Sequence, residues 1–225
     1  MIIVTGASRG LGRAIADRLI SAGHAVVGIA RNTEGLNFPT YSCDVADAEA
    51  IKSVARSLRS SGEEVTGLIN AAGIASLNLA LMSPAPQVDR VIRVNLMGTI
   101  HCTQSFTPLM VRHKYGRIIN FSTIAVTLGL SGEAAYAASK AGVEAFSRSF
   151  AREVSAFGIT VNCVAPGPIG TDLLRGVSQG QIDKIVDRQI IRKQFQPADV
   201  CDVVELLLDS RSKSLSGQVL HVGGA

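Results

Sequence analysis

Tyr136 and Lys140 form one pair of residues whose types and spacing could do chemistry together. They lie four positions apart in the stretch AAYAASK (134–140), whose alanines favour a helix. On a helix this spacing puts both side chains on one face. A lysine cation beside a tyrosine favours the phenolate and lowers the phenol pKa from about 10, so the pair could move a proton near neutral pH. Simple packing, with Tyr136 in the core and Lys140 reaching solvent, explains the spacing as well.

A glycine-rich turn near the start of the chain is a second candidate for chemistry. TGASRGLG (5–12) follows an apolar run and opens an amphipathic stretch, with glycines at Gly6, Gly10 and Gly12. A dinucleotide site needs such a turn, because the backbone must approach a pyrophosphate closely and helix N–H groups must point at the anion. The position between the first strand and the first helix predicts dinucleotide binding, the alternative being a tight turn that binds nothing.

Two arginines bear on which dinucleotide would bind. An acidic residue after the second strand would hold a ribose 2′-hydroxyl and select NAD, but Arg31 occupies that region in GIARNTEG. Arg9, in the glycine turn, is a second cation. Guanidinium groups bind phosphate through two parallel hydrogen bonds, so the pair predicts NADP(H), with two solvated arginines as the alternative.

Alternating short apolar runs and helical stretches must position these residues. The runs predict strands, and the stretches between them predict helices near 12–22, 47–62, 87–111 and 197–210, and one that contains Tyr136 and runs to about Phe157. This alternation predicts an α/β fold with a doubly wound parallel sheet, in a single domain over residues 1–225. Residues 169–196 form the longest insertion between regular elements, which predicts a lid. The predicted strands are 2–5, 25–30, 40–44, 67–70, 116–122, 159–165 and 217–222.

Composition and charge exclude several other classes of function. No apolar run approaches the roughly 18 residues that a membrane span needs, and the N-terminus has no basic leader, which favours a cytoplasmic protein. The four cysteines lie far apart in no metal-ligand pattern, so we expect free thiols in a reducing compartment and no metal site. The net charge of +4 is dispersed, which argues against nucleic acid as a partner.

Together these motifs resemble the short-chain dehydrogenase/reductase family across essentially the whole chain. The resemblance implies a Rossmann-like doubly wound parallel sheet of seven strands with helices on both faces. Six motifs occur in the family's order: TGASRGLG (5–12), CDV (43–45), NAAG (70–73), VN (94–95), YAASK (136–140) and PGPIGTD (166–172).

The resemblance also implies roles for individual residues. Tyr136 would be the proton donor, Lys140 its partner, and Asn95 the anchor of a water relay to Lys140. Asp44 and Val45 would flank the adenine, and Asn70 would lie beside the cofactor. The cofactor-binding residues so implied are Gly6, Ala7, Ser8, Arg9, Leu11, Gly12, Arg31, Asp44, Val45, Asn70, Ala71, Gly73, Tyr136, Lys140, Pro166, Gly167, Ile169 and Thr171.

The sequence departs from the family at the third catalytic group, which is usually a serine thirteen residues before the tyrosine. Counting back from Tyr136 reaches Thr123, and Ser122 lies one residue too early. Adjacent strand residues face opposite sides of a sheet, so Ser122 would point away from the site. We therefore favour Thr123 as the functional hydroxyl, able to bond the substrate oxygen.

The resemblance implies an NADPH-dependent oxidoreductase that reduces a ketone to a secondary alcohol. The closest likeness is to the 3-oxoacyl-carrier-protein reductases of fatty acid biosynthesis. A keto-sugar reductase, acting also on nucleotide-linked sugars, and a non-catalytic NADP-binding protein of the same fold are the alternatives. For a carrier-linked substrate, Lys114 and Arg175 are the candidate contacts at the pocket mouth. The family also implies a homo-oligomer, either a dimer or a tetramer.

Overall fold

A computed structural model provides the structure of this chain and describes residues 1–171, 174 and 177–224. Its seven strands form one parallel sheet in the order β3-β2-β1-β4-β5-β6-β7. This confirms the predicted doubly wound sheet, and the strand bounds differ from the predicted ones by at most three residues. The strands are β1 (Ile2–Thr5), β2 (Val26–Ala30), β3 (Thr40–Ser42), β4 (Gly67–Asn70), β5 (Gly116–Phe121), β6 (Ile159–Pro166) and β7 (Val219–Val222).

Helices cover both faces of the sheet. Helices α1 and α8 pack on one face, and α2, α4 and α6 pack on the other. No helix among the described residues is long and apolar enough to cross a membrane. The helices are α1 (Gly10–Ser21), α2 (Ala48–Ser61), α3 (Ala85–Ile92), α4 (Gly98–Val111), α5 (Ile124–Leu128), α6 (Ala134–Val154), α7 (Gln179–Val186) and α8 (Pro197–Leu208).

The apolar runs of the sequence become strands that are buried on both faces. In β1, Ile2 and Val4 point into the core beneath α1 and α8, whereas Ile3 points into the core beneath α2 and α4. Side chains alternate between the two faces of a strand, so a central parallel strand needs apolar residues at every position. This is why the strands read as continuous apolar runs.

The order in which strands are added to the sheet reverses at β1, and this reversal creates the main cleft. The chain runs from β1 to β2 and β3 on one side, then returns to β4 on the other side of β1. Connections leave the carboxyl ends of β1 and β4 in opposite directions, which opens a crevice between them. The glycine turn and the residues after β4, β5 and β6 all lie at this edge.

Three helical features differ from the sequence prediction. The helix expected over 87–111 is two helices, α3 and α4, joined by a π-helical turn over Arg93–Met97. Helix α5 and helix α7 were not predicted, because helices of five and eight residues are too short to display a clear apolar period. Helix α7 lies within segment 169–196 and begins at Ser178, whose side chain forms a capping box with Gln181.

Candidate active site

A cleft with a volume of about 440 Å³ opens at the carboxyl edge of the sheet. It brings together residues that are far apart in the sequence, from the glycine turn, from the ends of β2, β4 and β5, and from α6. Most of the predicted cofactor-binding residues line it: Gly6, Ser8, Arg9, Leu11, Gly12, Arg31, Asp44, Val45, Ala71, Gly73, Tyr136, Lys140, Pro166 and Thr171.

The glycine turn requires its glycines for steric reasons. A Cβ on Gly12 would lie 2.4 Å from the carbonyl oxygen of Gly6, a backbone atom that cannot move aside. Gly6 has a φ of +70°, and a Cβ there would lie 2.8 Å from the Cα of Ala72. The turn is therefore packed directly against the loop after β4, and Gly6 and Gly12 contribute only backbone atoms to the cleft lining.

The start of helix α1 suits an anion. Arg9 is the N-cap residue, but its side chain forms no capping hydrogen bond with the helix, and the first turn contains no acidic residue. The positive end of the helix dipole and the first N–H groups therefore face the cleft beside the guanidinium of Arg9. At the end of β2, the exposed Arg31 lines the same cleft.

The part of the cleft beside the ends of β2 and β3 is largely apolar. Its lining residues include Ile29, Ala30, Cys43 and Val45, and the Asp44 carboxylate accepts a hydrogen bond from the N–H of Ala46 at 3.0 Å. An adenine ring suits such an apolar wall. The glycine turn, the helix N-terminus and this apolar wall therefore fit a dinucleotide cofactor.

Tyr136 and Lys140 lie together at the inner end of the cleft, on the first turns of α6. Both are buried, and the Lys140 ammonium donates a hydrogen bond to the carbonyl oxygen of Phe121 at 2.8 Å. A Cβ on Gly73 would lie 3.6 Å from Lys140 Nζ and 3.3 Å from Asn95 Oδ1, so Lys140 and Asn95 both approach this glycine. Burial of both members of the pair excludes the simple picture in which Lys140 reaches solvent.

The pKa values of the pair differ from the sequence expectation. Burial, and next the carboxylate of Glu133, raise the pKa of Tyr136 to about 12, and an interaction with the Thr123 hydroxyl opposes this rise. Burial lowers the pKa of Lys140 to about 8. The expectation that Lys140 lowers the tyrosine pKa is wrong for the protein alone, because desolvation disfavours the charged form of each group.

The structure distinguishes the two adjacent hydroxyls after β5. Ser122 donates a hydrogen bond to the carboxylate of Glu144 on α6. Thr123 caps helix α5, accepting a hydrogen bond from the N–H of Ala125 at 3.2 Å, and interacts with Tyr136. Thr123, the position at which counting back from the tyrosine arrived, therefore interacts with Tyr136. Ser122 also lines both cavities beside Tyr136, which differs from the expectation that it points away from the site.

Asn95 is completely buried in the π-helical turn. Its amide nitrogen donates to Ile74 O at 2.9 Å and to Ser139 Oγ at 3.0 Å, and its oxygen accepts from Ile74 N at 2.8 Å. Ser139 in turn donates to the carbonyl oxygen of Tyr136 at 2.6 Å. Both N–H bonds of the Asn95 amide are thus used in tying the loop after β4 to the first turn of α6.

A second cavity of about 120 Å³ adjoins the cleft at Tyr136. Gly167 and Ile169, predicted to line the nicotinamide end, line this cavity, and Pro166 and Thr171 line both. Its wall is mostly apolar, and Thr123, Tyr136 and Glu133 are among its few polar residues. The apolar residues include Leu11, Leu77, Ile124, Leu130, Leu174, Val177 and Ile185.

Three predicted positions among the described residues lie elsewhere. Asn70 points into the core, donating to Asn120 at 2.8 Å and Thr103 at 3.1 Å, and Ala7 is fully buried beneath the turn. The prediction that Lys114 flanks the pocket mouth is wrong. Lys114 precedes β5 at the amino edge of the sheet, roughly 20 Å from the cleft at about 3.3 Å per strand residue. Arg175 lies outside the described residues.

Sequence reasoning missed four residues that shape the site. Ser139 and Glu144 follow Tyr136 at helical spacings that put them on or near its face, which is a usable signal. Glu133 precedes the tyrosine by three residues, a spacing that gives a similar signal. Gln189 is 3% exposed and its side-chain oxygen lies against Gly167. This last contact joins distant parts of the chain, so no local pattern reveals it.

Comparisons with known proteins agree with this geometry. The profile of the family described as short chain dehydrogenase matches residues 1–182. The 3-oxoacyl-[acyl-carrier-protein] reductase FabG of Salmonella typhimurium is 36% identical over 231 aligned positions, covering 99% of this chain and 95% of the relative. FabG of Staphylococcus aureus is 35% identical over 235 positions, covering 99% and 96%.

A solved structure from Agrobacterium tumefaciens, provisionally assigned as a gluconate dehydrogenase, superposes with a TM-score of 0.92. It is 26% identical, and the match covers 100% of this chain and 94% of that one.

The fold and the site define a class of protein, the oxidoreductases that bind a nicotinamide dinucleotide at the switch point of a Rossmann-like sheet. Within that class, this chain belongs to the short chain dehydrogenase family. It is an oxidoreductase that interconverts CH–OH and C=O groups.

Proposed function

We propose that this enzyme uses NADPH to reduce a 3-oxoacyl group, carried by a carrier protein, to the secondary alcohol. One observation carries the proposal: the mostly apolar second cavity adjoins the dinucleotide cleft at Tyr136, and Thr123, whose hydroxyl interacts with Tyr136, lines that second cavity. A ketone held there would have two hydroxyl groups beside its oxygen and room for an alkyl chain. The full-length likeness to FabG reductases supports this substrate class.

In this proposal the residues of the cleft hold the cofactor. The N-terminus of α1, with Ser8 and Arg9, would bind the pyrophosphate, and Asp44 and Val45 would flank the adenine. Arg31 would bind the 2′-phosphate, which makes NADPH the preferred cofactor. When bound, the nicotinamide supplies the hydride that reduces the carbonyl carbon.

The side chains at the inner end of the cleft handle the proton and the charge on oxygen. Tyr136 donates its phenolic proton to the carbonyl oxygen, and Thr123 donates a second hydrogen bond to the same oxygen as its charge develops. With a pKa near 8, Lys140 keeps its ammonium proton through most of the neutral range and would supply a positive charge near the phenolate that remains after proton transfer, which offsets part of the cost of burying that charge. Asn95 and Ser139 fix the first turn of α6, so that the phenol stays aimed at the substrate.

A keto-sugar reductase is the second candidate, because of the likeness to the Agrobacterium tumefaciens protein. A sugar needs hydrogen-bond partners for several hydroxyls, since unpaired polar groups are costly to bury. Among the described residues, the second cavity offers mostly aliphatic side chains. An acyl chain therefore fits this wall better than a sugar does.

We also propose one domain over residues 1–225, in which segment 169–196 forms a lid. Leu174, Val177 and Ile185 of this segment line the second cavity, and Arg188 donates to the carbonyl oxygen of Leu128 at 2.8 Å. These contacts fit a cover over the substrate. We further propose that the protein is a homo-oligomer in the cytoplasm, as the family resemblance implies.

The test is an NADPH-oxidation assay with three substrates: a carrier-linked 3-oxoacyl group, its short thioester analogue and a keto-gluconate. We expect reduction of both 3-oxo compounds and a higher kcat/KM for the carrier-linked one. Reduction of the keto-gluconate alone would overturn the substrate assignment and favour the sugar candidate.

The cofactor assignment is tested with Arg31→Glu. We expect this variant to raise the KM for NADPH by at least about tenfold, because a carboxylate replaces the phosphate-binding cation, and to change the KM for NADH little. Arg56→Glu, on the exposed face of α2, is the matched control and should change neither. Equal or better kcat/KM with NADH in the unmodified protein would contradict the assignment.

A further inference from the structure

Glu133 lies at the edge of the second cavity, and its carboxylate has no partner among the described residues. It immediately precedes helix α6, three residues before Tyr136, and its side chain does not cap the helix. Among the described residues, it forms neither an ion pair nor a side-chain hydrogen bond. Its side chain is half-buried and lines the cavity.

The surroundings of Glu133 make this carboxylate electrostatically effective. Burial raises the pKa of Glu133, because the half-buried carboxylate is partly removed from solvent. The charge of the Glu133 carboxylate also contributes to the raised pKa of Tyr136, so it acts on the phenol electrostatically. The remaining wall of the cavity is mostly aliphatic and provides little screening.

We propose that Glu133 is a specificity-determining residue that excludes substrates carrying a negative charge next to the reacting ketone. The inference rests on the proposed function, because it requires the second cavity to hold the substrate. A carboxylate or phosphate within a few ångströms of Glu133 would be repelled. A neutral ester or thioester of the same shape would not be repelled.

This selection separates two kinds of 3-oxo compound. A 3-oxoacyl thioester is neutral beside the ketone, whereas the free 3-oxo acid carries one negative charge at the same place. Two like charges about 6 Å apart, at the effective dielectric constant near 20 of a partly solvated site, would disfavour the acid by ten- to a hundredfold. Because Glu133 is only half-buried, we expect the lower end of that range.

The experiment compares methyl acetoacetate with acetoacetate, which differ mainly in one charge. Dissociation constants for both ligands are measured by NMR titration of the enzyme loaded with NADP⁺, which cannot reduce them, and kcat/KM is measured for both with NADPH. We expect Glu133→Gln to improve binding of acetoacetate about tenfold and to leave methyl acetoacetate nearly unchanged. Glu133→Asp, which keeps the charge, should keep the discrimination.

Glu153→Gln is the matched control, because it removes one carboxylate from an exposed position of the same helix. It should leave both ligands unchanged. If Glu133→Gln leaves the ratio of the two dissociation constants within about twofold of wild type, the inference is wrong. If instead the wild-type enzyme reduces no neutral 3-oxo ester or thioester, the proposed function fails, and the binding ratio still decides the role of Glu133.

Discussion

Gly167→Ala is a substitution whose cost can be worked out from the contacts of one side chain. Gly167 has ordinary backbone angles, so alanine is compatible with its conformation. A Cβ there, however, would lie 1.8 Å from Oε1 of Gln189. Gln189 is buried, and its amide nitrogen donates to the carbonyl oxygens of Lys193 at 2.9 Å and Ile191 at 3.3 Å. The amide cannot retreat without breaking these two bonds.

The expected loss follows from those bonds. The amide must move by more than 1 Å to reach an ordinary contact distance, which breaks both hydrogen bonds. Each typical bond contributes about 1 kcal/mol, and leaving the buried amide nitrogen of Gln189 without an acceptor costs about 1–3 kcal/mol more. We therefore expect Gly167→Ala to lower the free energy of unfolding by about 2–4 kcal/mol. This is large for the addition of one methyl group.

Urea denaturation of a double-mutant cycle is the assay. Gln189→Ala loses the same two bonds and removes the clash, so the double variant should be about as stable as Gln189→Ala alone rather than doubly destabilised. Gly180→Ala is the control, because nothing lies within 4 Å of a Cβ at this position in the first turn of α7, and it should be neutral or stabilising by up to about 1 kcal/mol. Additive losses in the cycle, or a Gly167→Ala variant as stable as wild type, would refute the reasoning.

Two further predictions concern the side chains at the inner end of the cleft. Thr123→Ala should lower kcat about 10²–10³-fold, whereas Thr123→Ser should retain activity and Ser122→Ala should lower kcat only slightly. Tyr136→Phe should lower kcat the most. If steady-state assays show a larger loss for Ser122→Ala than for Thr123→Ala, the assignment is contradicted. Burial of Lys140 makes the folded chain bind fewer protons than the unfolded chain between pH 8 and 10.5, so its destabilising effect is full below pH 8 and is relieved as pH rises. Between pH 8 and 10.5, the free energy of unfolding of the wild type should therefore rise by up to about 3 kcal/mol relative to that of Lys140→Met. If denaturation experiments find that the difference between the two proteins does not change with pH, the lowered pKa of Lys140 is contradicted.

Much of the fold could be predicted from the sequence, because parallel strands buried on both faces produce unmistakable apolar runs. All seven strands and the helices from α1 to α8 longer than eight residues were located in this way. The division of the helix over 87–111 was not predicted. A π-helical turn adds one residue per turn, and nothing in the residue types of Arg93–Met97 marks it. The π-helical turn nevertheless matters for the site, because it carries Asn95.

The candidate site was predictable where one short motif supplies both the residues and their geometry. The glycine turn and the Tyr136–Lys140 pair are of this kind, because a strand–turn–helix junction or a helix face fixes their relative positions. Lys114 shows the opposite case. It is close to β5 in sequence, but residues before and after a parallel strand lie at opposite edges of the sheet, and only the carboxyl edge holds the cleft.

The pKa values at the inner end of the cleft show why motif geometry alone does not determine chemistry. Spacing on α6 places Tyr136 near Lys140, but burial acts on both groups in the direction that opposes ionisation. Lys140 directs its ammonium to the carbonyl oxygen of Phe121, and Glu133 contributes a charge of the wrong sign for a phenolate. In the protein alone, the tyrosine is therefore held as a neutral hydroxyl. A neutral phenol can give a proton to a ketone, so this state of the protein is suited to reduction, whereas oxidation of an alcohol requires the phenolate that the same surroundings disfavour.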